Sequence, residues 1–256
     1  MLNQKVYQFS PRRALSANCR ISHSDQTHEL PDVPVLAATL VSMELTIRQR
    51  PVDLAQVSQL VLFDLGATLQ ILRRAGREKT VDGRLERIED CIVEIGMGAC
   101  LEALAQCPIA KGPRFASVHS AWQRARETAF IARFVAEKLA LDVAQEDAYL
   151  VGLAHGIGDL PKFLEWDCGR QIGSDSDLTG LRIAEAWRLP HCIAEYFLDR
   201  MAGKSQTQWT KIVDCALELL ESRPSTSLSD NSIHLLFNPS KRYPHAAAQR
   251  PALAGS

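Results

Sequence analysis

The sequence lacks the features that mark several large classes of protein. It contains no run of 18 apolar residues, so no transmembrane helix is expected. Its first residues hold no continuous apolar segment of the kind that secretory signals carry. It also has no excess of one charge, with 29 basic against 30 acidic side chains. A dedicated nucleic-acid binder would be strongly basic, so contact with nucleic acid is not the expected role.

Paired cysteines at metal-binding spacing are missing as well. The chain has seven cysteines, an odd number, and none of them forms a CxxC pair. This pattern favours reduced thiols in a cytoplasmic protein over a disulfide or zinc framework. Several lie on apolar helix faces, where a cysteine acts as a small hydrophobic residue. The seven are Cys19, Cys91, Cys100, Cys107, Cys168, Cys192 and Cys215.

The glycine motifs of common enzyme classes are also missing. No GxxxxGK[ST], GxGxxG or GxSxG sequence occurs, so a nucleotide-binding loop and a hydrolase elbow are excluded, and no cofactor is expected. No strand pattern competes with the helical spacing of apolar residues. With 256 residues and 46 % hydrophobic content, the chain can bury roughly 70–75 % of its unfolded surface. The sequence therefore predicts an all-α fold with a substantial core.

The pattern divides the chain into four parts. Residues 1–28 are predicted to be a mobile arm, and residues 223–256, rich in Ser, Pro, Ala and Asn, a disordered tail. Residues 29–110 are predicted to form an N-terminal bundle of about five short helices. Asp53 is expected to cap the second of these, Gly76 to end the third, and Pro108 to stop the last before a linker over Ile109–Arg114.

Residues 111–222 are predicted to form a second helical lobe. Its longest helix should span about Phe115 to Ala140, with a seam of mostly small residues that permits close packing. The next helix should begin near Gln145, and a later one should be capped by Asp177. The seam consists of Val118, Trp122, Ala125, Ala129, Ala132, Ala136 and Leu139.

The stretch VGLAHGIGDL, residues 151–160, contains the strongest functional signal. An apolar helix runs there into His155, which is followed directly by Gly156 and, after one residue, by Gly158. A glycine costs about 1 kcal/mol in a helix interior, so this spacing predicts that the helix ends and the backbone turns. A histidine at such a junction is well placed for chemistry.

Six segments that follow one another over about residues 30–203 form a recognisable series. The first three are LPDVP, PVDLAQVSQLVLFDLGATLQILRRAG and RLERIEDCIVEIGMGACLEAL. The last three are AWQRARETAFIARFVAEKL, AYLVGLAHGIGDL and GLRIAEAWRLPHCIAEYF. In this order they make the chain similar to the HDOD family, a relative of the HD-domain phosphohydrolases found mainly in bacterial signalling proteins. The resemblance implies that the second lobe is HD-like.

The resemblance also implies where metal ligands would stand. A working HD site holds one or two divalent metals on His and Asp side chains spread over several helices. The His–Asp pair that names the superfamily falls on His155 and Gly156, so its carboxylate is missing. The other ligand positions fall on or near Arg124, Ser176, Asp199 and Arg200. The site that the resemblance implies is therefore degenerate, and no bound metal is predicted.

Arg124 is the most informative of these replacements. A guanidinium is always positive and cannot ligate a cation. One hypothesis is that Arg124 replaces the charge of the metal and pairs with Asp159 or Asp175; the alternative is that it points to solvent. His119 is a weak candidate for a remnant metal site together with His155 and Asp175.

Two other residues complete the candidates. His191, at a helix start after Pro190, is predicted to be a surface residue. Cys192 has no base near it in the sequence, so a Cys–His nucleophile is not favoured.

Three functions remain open at this stage. The favoured one is a non-catalytic regulatory module that binds a protein partner or a small signal in a bacterial pathway. The second is a metal-dependent phosphohydrolase acting on a nucleotide with a rearranged set of ligands, namely His119, His155, Asp159 and Asp175. The third is nucleic-acid contact through two basic clusters, although such clusters more often form a solvated face. These clusters are Arg73, Arg74, Arg77 and Lys79, and Arg124, Arg126 and Arg133.

Overall fold

The computed structural model describes residues 30–49, 51–78, 87–112, 114–139, 141–166, 175–203 and 207–222. These residues form eleven α-helices and one 3₁₀ turn, and among them the only β-type pairing is an isolated bridge. The all-α prediction is therefore confirmed. The helices are α1 (Ala37–Arg48), α2 (Leu54–Leu62), α3 (Leu65–Glu78), α4 (Ile88–Ile95), α5 (Met97–Ala105), α6 (Arg114–Lys138), α7 (Gln145–Ala154), α8 (Leu160–Phe163), α9 (Ser176–Ala186), α10 (His191–Met201) and α11 (Gln208–Glu221).

Some predictions fall outside this part of the chain. The arm over residues 1–28, the tail over residues 223–256, Lys79, Cys19 and Cys168 are not among the described residues. The five cysteines that are described form no disulfide, and four of them are buried, which agrees with their predicted role as small hydrophobic residues. No single helix in the described ranges is long and apolar enough to cross a membrane. Within the same described ranges, α2 and α3 taken together reach that length and composition, but they meet at a bend of 114°.

A buried carboxylate joins the starts of two helices in the N-terminal bundle. Asp64 is fully buried; its Oδ2 accepts from the amide of Leu36 at 2.8 Å, before α1, and its Oδ1 accepts from the amide of Ala67 at 3.2 Å, in α3. Burial raises the pKa of Asp64, and these hydrogen bonds act against that rise. Gly66 keeps the segments close, because a Cβ there would lie 2.0 Å from the carbonyl oxygen of Pro34.

Helix α3 continues past Gly76, so the prediction that this glycine ends the helix is wrong. The reason is a tertiary contact. A Cβ at Gly76 would lie 2.9 Å from the carbonyl oxygen of Arg188 and 3.1 Å from that of Trp187. Gly76 therefore permits close packing of the bundle against the segment that follows α9. It is not a capping residue.

Arg73 strengthens the same junction. Its side chain is only 5 % exposed and donates to Asp32 at 2.7 Å and to the carbonyl oxygen of Leu30 at 3.3 Å. Its guanidinium also lies over the ring of Trp187, 5.2 Å from the centroid. Three segments that are far apart in the sequence, LPDVP, RRAG and AWRLP, therefore meet at one place in the fold.

The central helix pair of the second lobe is α6 and α7. Gly152 on α7 is the contact point, because a Cβ there would lie 2.7 Å from the Cβ of Ala132 and 2.8 Å from the Cα of Ala129. The predicted seam of small residues on α6 is buried, which confirms its role in close packing. Leu139 is the exception: it follows the last residue of α6 and is 54 % exposed.

Of the two predicted helix caps, the structure confirms one and corrects the other. Asp53 caps α2, as predicted, by accepting from the amides of Ala55 and Gln56. The cap of α9 is Asp175, whose Oδ1 accepts from the amide of Asp177 at 2.9 Å. The prediction that Asp177 is the cap is wrong, because the helix already begins at Ser176 and Asp177 is its second residue.

The segment predicted to be a linker is tied to the first part of the chain. Val35 donates its amide to the carbonyl oxygen of Pro108 at 2.9 Å and accepts from the amide of Ala110 at 3.3 Å. These bonds make the isolated parallel bridge between Val35 and Ile109. The main hydrophobic core runs from Val33 to Val213 and includes residues of both predicted lobes. The domain boundary after residue 110 remains a prediction.

Candidate functional site

The predicted histidine turn is present at the end of α7. The helix ends at Ala154, His155 is its C-cap, and a 3₁₀ turn over Ile157–Asp159 follows. Gly158 has a steric reason to be glycine, because a Cβ there would lie 1.9 Å from the carbonyl oxygen of Ser176. The turn is therefore pressed against the start of α9. Gly156 is different, since no atom lies within 4 Å of its Cβ position.

His155 has a fixed tautomer. Its Nδ1 lies 2.8 Å from the carbonyl oxygen of Gly152, which only accepts hydrogen bonds. Nδ1 therefore carries the proton and donates, and Nε2 keeps its lone pair. Burial lowers the pKa of His155, and the charges of Arg124 and Arg200 lower it further, against the Gly152 hydrogen bond and Asp159, which raise it. The ring is consequently neutral near pH 7.

Arg124 does not occupy the place that the pairing hypothesis required. Its side chain is 62 % exposed, and its Nη2 lies 3.6 Å from Oε1 of Glu221 on α11, itself 72 % exposed. The pairing with Asp159 or Asp175 is therefore wrong, because the carboxylate that Arg124 meets comes from the last helix. Such an exposed pair contributes little to stability.

Arg200 makes the larger ion-pair network near the turn. Its Nε lies 3.5 Å from Oδ2 of Asp177, and its Nη1 lies 3.7 Å from Oδ1 of Asp214. The guanidinium thus connects α10 with α9 and α11. Asp199, the neighbouring ligand position, is partly exposed on the same helix.

The acidic candidates have separate tasks or face solvent. The carboxylate of Asp175 caps α9, and Asp159 is exposed at the end of the 3₁₀ turn. Ser176 contributes its backbone to the contact with Gly158. His119 is exposed, and its ring lies 5.6 Å from the ring of Phe115.

The residues at these positions do not fit a divalent metal. In the described ranges, no group of three or more His, Cys, Asp and Glu side chains is placed to hold an ion. Arg124 and Arg200 bring positive charge toward His155, and Gly156 supplies no carboxylate beside it. A hard divalent cation needs several oxygen donors with negative charge. The Nε2 lone pair of His155 is a single donor.

The two remaining candidates are accounted for by simple contacts. His191 is exposed, as predicted, and its Nδ1 lies 3.0 Å from Oε1 of Glu195 one turn along α10. Cys192 is buried, and burial raises the pKa of its thiol. A thiol that does not ionise near neutral pH is a poor nucleophile.

Members of both basic clusters make contacts within the protein, which weakens the case for a nucleic-acid surface. Arg73 is buried in the junction described above and is not available to a phosphate. Arg126 lies over the ring of Phe63, with 5.5 Å between the guanidinium carbon and the centroid. Arg133 is exposed, and its Nε donates to the side chain of Gln145 at 3.4 Å.

Sequence reasoning missed one feature with the character of a binding site. A cleft of 210 Å³ opens where α2 and α4 of the bundle face α6 and α7. Its residues are spread over a span of more than 90 positions, so no local motif marks it. Periodicity identifies each helix but does not show which partly exposed side chains share one opening.

The fold and the site together define a class: all-α proteins in which a helix ends at a histidine and a glycine turn that packs against the start of a later helix. The HDOD domain model matches residues 31–164, which is 134 of the 256 residues. The chain belongs to the HDOD domain family, as its sequence indicated.

Solved structures show the same fold. The MmoQ response regulator from Methylococcus capsulatus str. Bath superposes on the chain with a TM-score of 0.57 and 18 % identity, and the match covers 78 % of this chain and 90 % of that one. A crystal structure of its fragment 20–298 gives a TM-score of 0.56 and 16 % identity over 76 % and 87 % of the two chains. No curated protein matches the chain. At these identities the similarity concerns the fold alone.

Proposed function

We propose that this protein is a non-catalytic regulatory module in a bacterial signalling pathway, active in the cytoplasm through a protein partner or a small signal. The observation that carries this proposal is the composition of the turn. A histidine with a free Nε2 lone pair stands beside Gly156, and the charges that reach it from the neighbouring helices include Arg124 and Arg200. Membership of the HDOD family and the fold shared with a response regulator support a role in signalling.

In this proposal the former site has a structural task. His155 ends α7 through its bond to Gly152, Asp175 begins α9, and Gly158 lets the two elements touch through Ser176. These contacts hold the HD-like lobe, residues 111–222, in one shape. Asp159, Gly156 and Arg124 remain at its exposed edge. The bundle over residues 29–110 then supplies the other half of the binding surface.

Metal analysis and a phosphodiesterase assay test the absence of catalysis. The purified full chain is incubated with Mn²⁺, desalted and analysed for metal, and then assayed with a chromogenic phosphodiester and with cyclic dinucleotides. We expect no stoichiometric metal and no turnover above that of buffer. One bound metal per chain together with turnover that His155→Gln abolishes would overturn the proposal.

Capture from the native host tests the regulatory role. The tagged full chain is used as bait, and the matched control is a variant with an unrelated surface change, Glu44→Gln on α1. We expect the same signalling protein to be recovered with both baits. Recovery of no specific partner, together with no ligand bound by the purified chain, would contradict the role.

A further inference from the structure

The cleft between the bundle and the HD-like lobe combines two kinds of wall. One wall comes from α2, its C-cap Phe63 and α4, and the other from α6 and α7. The cleft is lined by Gln59, Leu62, Phe63, Ile88, Glu89, Phe130, Arg133, Glu146, Tyr149 and Leu150.

The floor of the cleft is apolar and held in place. The rings of Phe63 and Phe130 meet edge to face with centroids 5.9 Å apart, and those of Phe130 and Tyr149 do so at 5.3 Å. The Tyr149 hydroxyl donates to the carbonyl oxygen of Leu62 at 2.8 Å, which connects the two walls. A pre-formed aromatic floor of this kind binds an apolar body without a large cost in ordering.

The rim of the cleft carries charges of both signs on three different helices. Glu89 on α4 lies 3.8 Å from Arg87, a long and weak contact. Glu146 is exposed in the first turn of α7. Arg133 on α6 is exposed, and its Nε donates to the side chain of Gln145 at 3.4 Å. A ligand that satisfies the rim needs both a positive and a negative group.

We propose that this cleft binds a small zwitterion with an apolar body, the chemistry of a free apolar amino acid. The body would lie on Phe63, Phe130 and Tyr149. The ammonium group would pair with Glu89 or Glu146, and the carboxylate with Arg133, whose planar guanidinium suits a carboxylate. The volume of 210 Å³ supports this size class. It lies below the ~300 Å³ at which drug-sized pockets begin, which favours a small ligand.

This inference deepens the proposed function, because it names the small signal that the module would sense. The two walls belong to different parts of the fold, so a ligand in the cleft favours the arrangement in which they face each other. Binding is measured without any enzyme assay. The result is therefore independent of whether the turn at His155 binds metal or turns over a substrate.

Calorimetric titration of the full chain tests the proposal with three probes of one shape. L-phenylalanine carries both charges, phenethylamine lacks the carboxylate, and 3-phenylpropionate lacks the ammonium group. We expect L-phenylalanine to bind and each one-charge probe to bind at least about tenfold more weakly, because each leaves one charged rim group unpaired.

Rim variants assign the charges. Arg133→Gln should weaken the binding of L-phenylalanine by about tenfold and remove its affinity advantage over phenethylamine. The double variant Glu89→Gln with Glu146→Gln should remove the affinity advantage of L-phenylalanine over 3-phenylpropionate. Arg48→Gln and Glu44→Gln, on the exposed face of α1, are the matched controls and should bind as the wild type does. Absence of binding by L-phenylalanine, L-leucine and L-tryptophan at about 10 mM would overturn the proposal. So would binding that the rim variants leave unchanged.

Discussion

At the scale of single residues, His155 shows how one hydrogen bond decides the state of a side chain. Its bond to the carbonyl oxygen of Gly152 assigns the proton to Nδ1, and burial keeps the ring neutral. The sequence predicted the turn and the residue, because a glycine pair after an apolar helix is a local signal. It did not predict the partner of Arg124, since Glu221 lies 97 positions further along the chain.

The lowered pKa of His155 predicts a pH dependence of stability. The unfolded chain takes up a proton near pH 6.5, whereas the folded chain resists it to a lower pH. Acidification between these two pKa values therefore lowers the free energy of unfolding. Urea denaturation at about pH 7.5 and about pH 5.5 should show that the free energy of unfolding falls less on acidification in His155→Gln than in the wild type. His191→Gln, at an exposed position on α10, is the control and should lose as much free energy of unfolding on acidification as the wild type. Equal losses in all three proteins would contradict the prediction.

The two glycines of the turn are predicted to differ strongly in their response to alanine. Gly158→Ala places a Cβ 1.9 Å from the backbone of Ser176, so the turn must separate from α9. We expect a loss of about 3 kcal/mol or more in the free energy of unfolding. Gly156→Ala meets open space at a φ of −99°, and it should change stability by less than about 1 kcal/mol. Thermal and urea unfolding of the two variants make the comparison; equal effects would show that the contact with α9 is unimportant.

At the scale of helices, the starts and ends of the elements depend on tertiary contacts as much as on local signals. Asp53 is a local cap and was predicted correctly. Gly76 has the composition of a helix end, yet α3 continues because Arg188 packs against that glycine. Asp177 and Asp175 are both good caps by type, so the sequence alone does not distinguish which of them the helix uses.

Asp64 offers a test of how two helices are joined. Both of its oxygens accept from backbone amides, so Asp64→Asn places an amide donor against an N–H group of Leu36 or Ala67. We expect a loss of about 2 kcal/mol in the free energy of unfolding by urea denaturation. Asp53→Asn is the matched control, because Asn and Asp cap a helix equally well, and it should be nearly neutral. A neutral Asp64→Asn would mean that the buried carboxylate does not hold α1 and α3 together.

At the scale of the whole molecule, Arg73 connects the beginning of the fold to the end of α9. Arg73→Met removes the bond to Asp32 and the contact with Trp187. Because Asp32 is 48 % exposed, water replaces part of its lost partner, and we expect a cost of about 2 kcal/mol. Arg74→Met changes an exposed neighbour and should stay within about 0.5 kcal/mol. Denaturation followed by tryptophan fluorescence measures both, and similar values would place Arg73 outside the junction.

The helix order and the all-α class followed from the sequence because apolar spacing is repeated many times along the chain. The junction of Arg73, Gly76 and Trp187 did not, because each residue has an ordinary local interpretation: a basic cluster, a helix end and an apolar position. The cleft at Phe63, Phe130 and Tyr149 stayed hidden for the same reason. Sites assembled from several helices depend on the relative placement of those helices, which periodicity does not report.

The bridge between Val35 and Ile109 has a consequence for how the protein opens. The amides of Val35 and Ala110 are bonded to segments that lie more than 70 residues away, so neither bond breaks by local fraying of one helix. Both amides should exchange with deuterium only when the segment at Val35 separates from the segment at residues 108–110 in one cooperative opening. Their shared exchange rate would then measure the frequency with which the first five helices come apart.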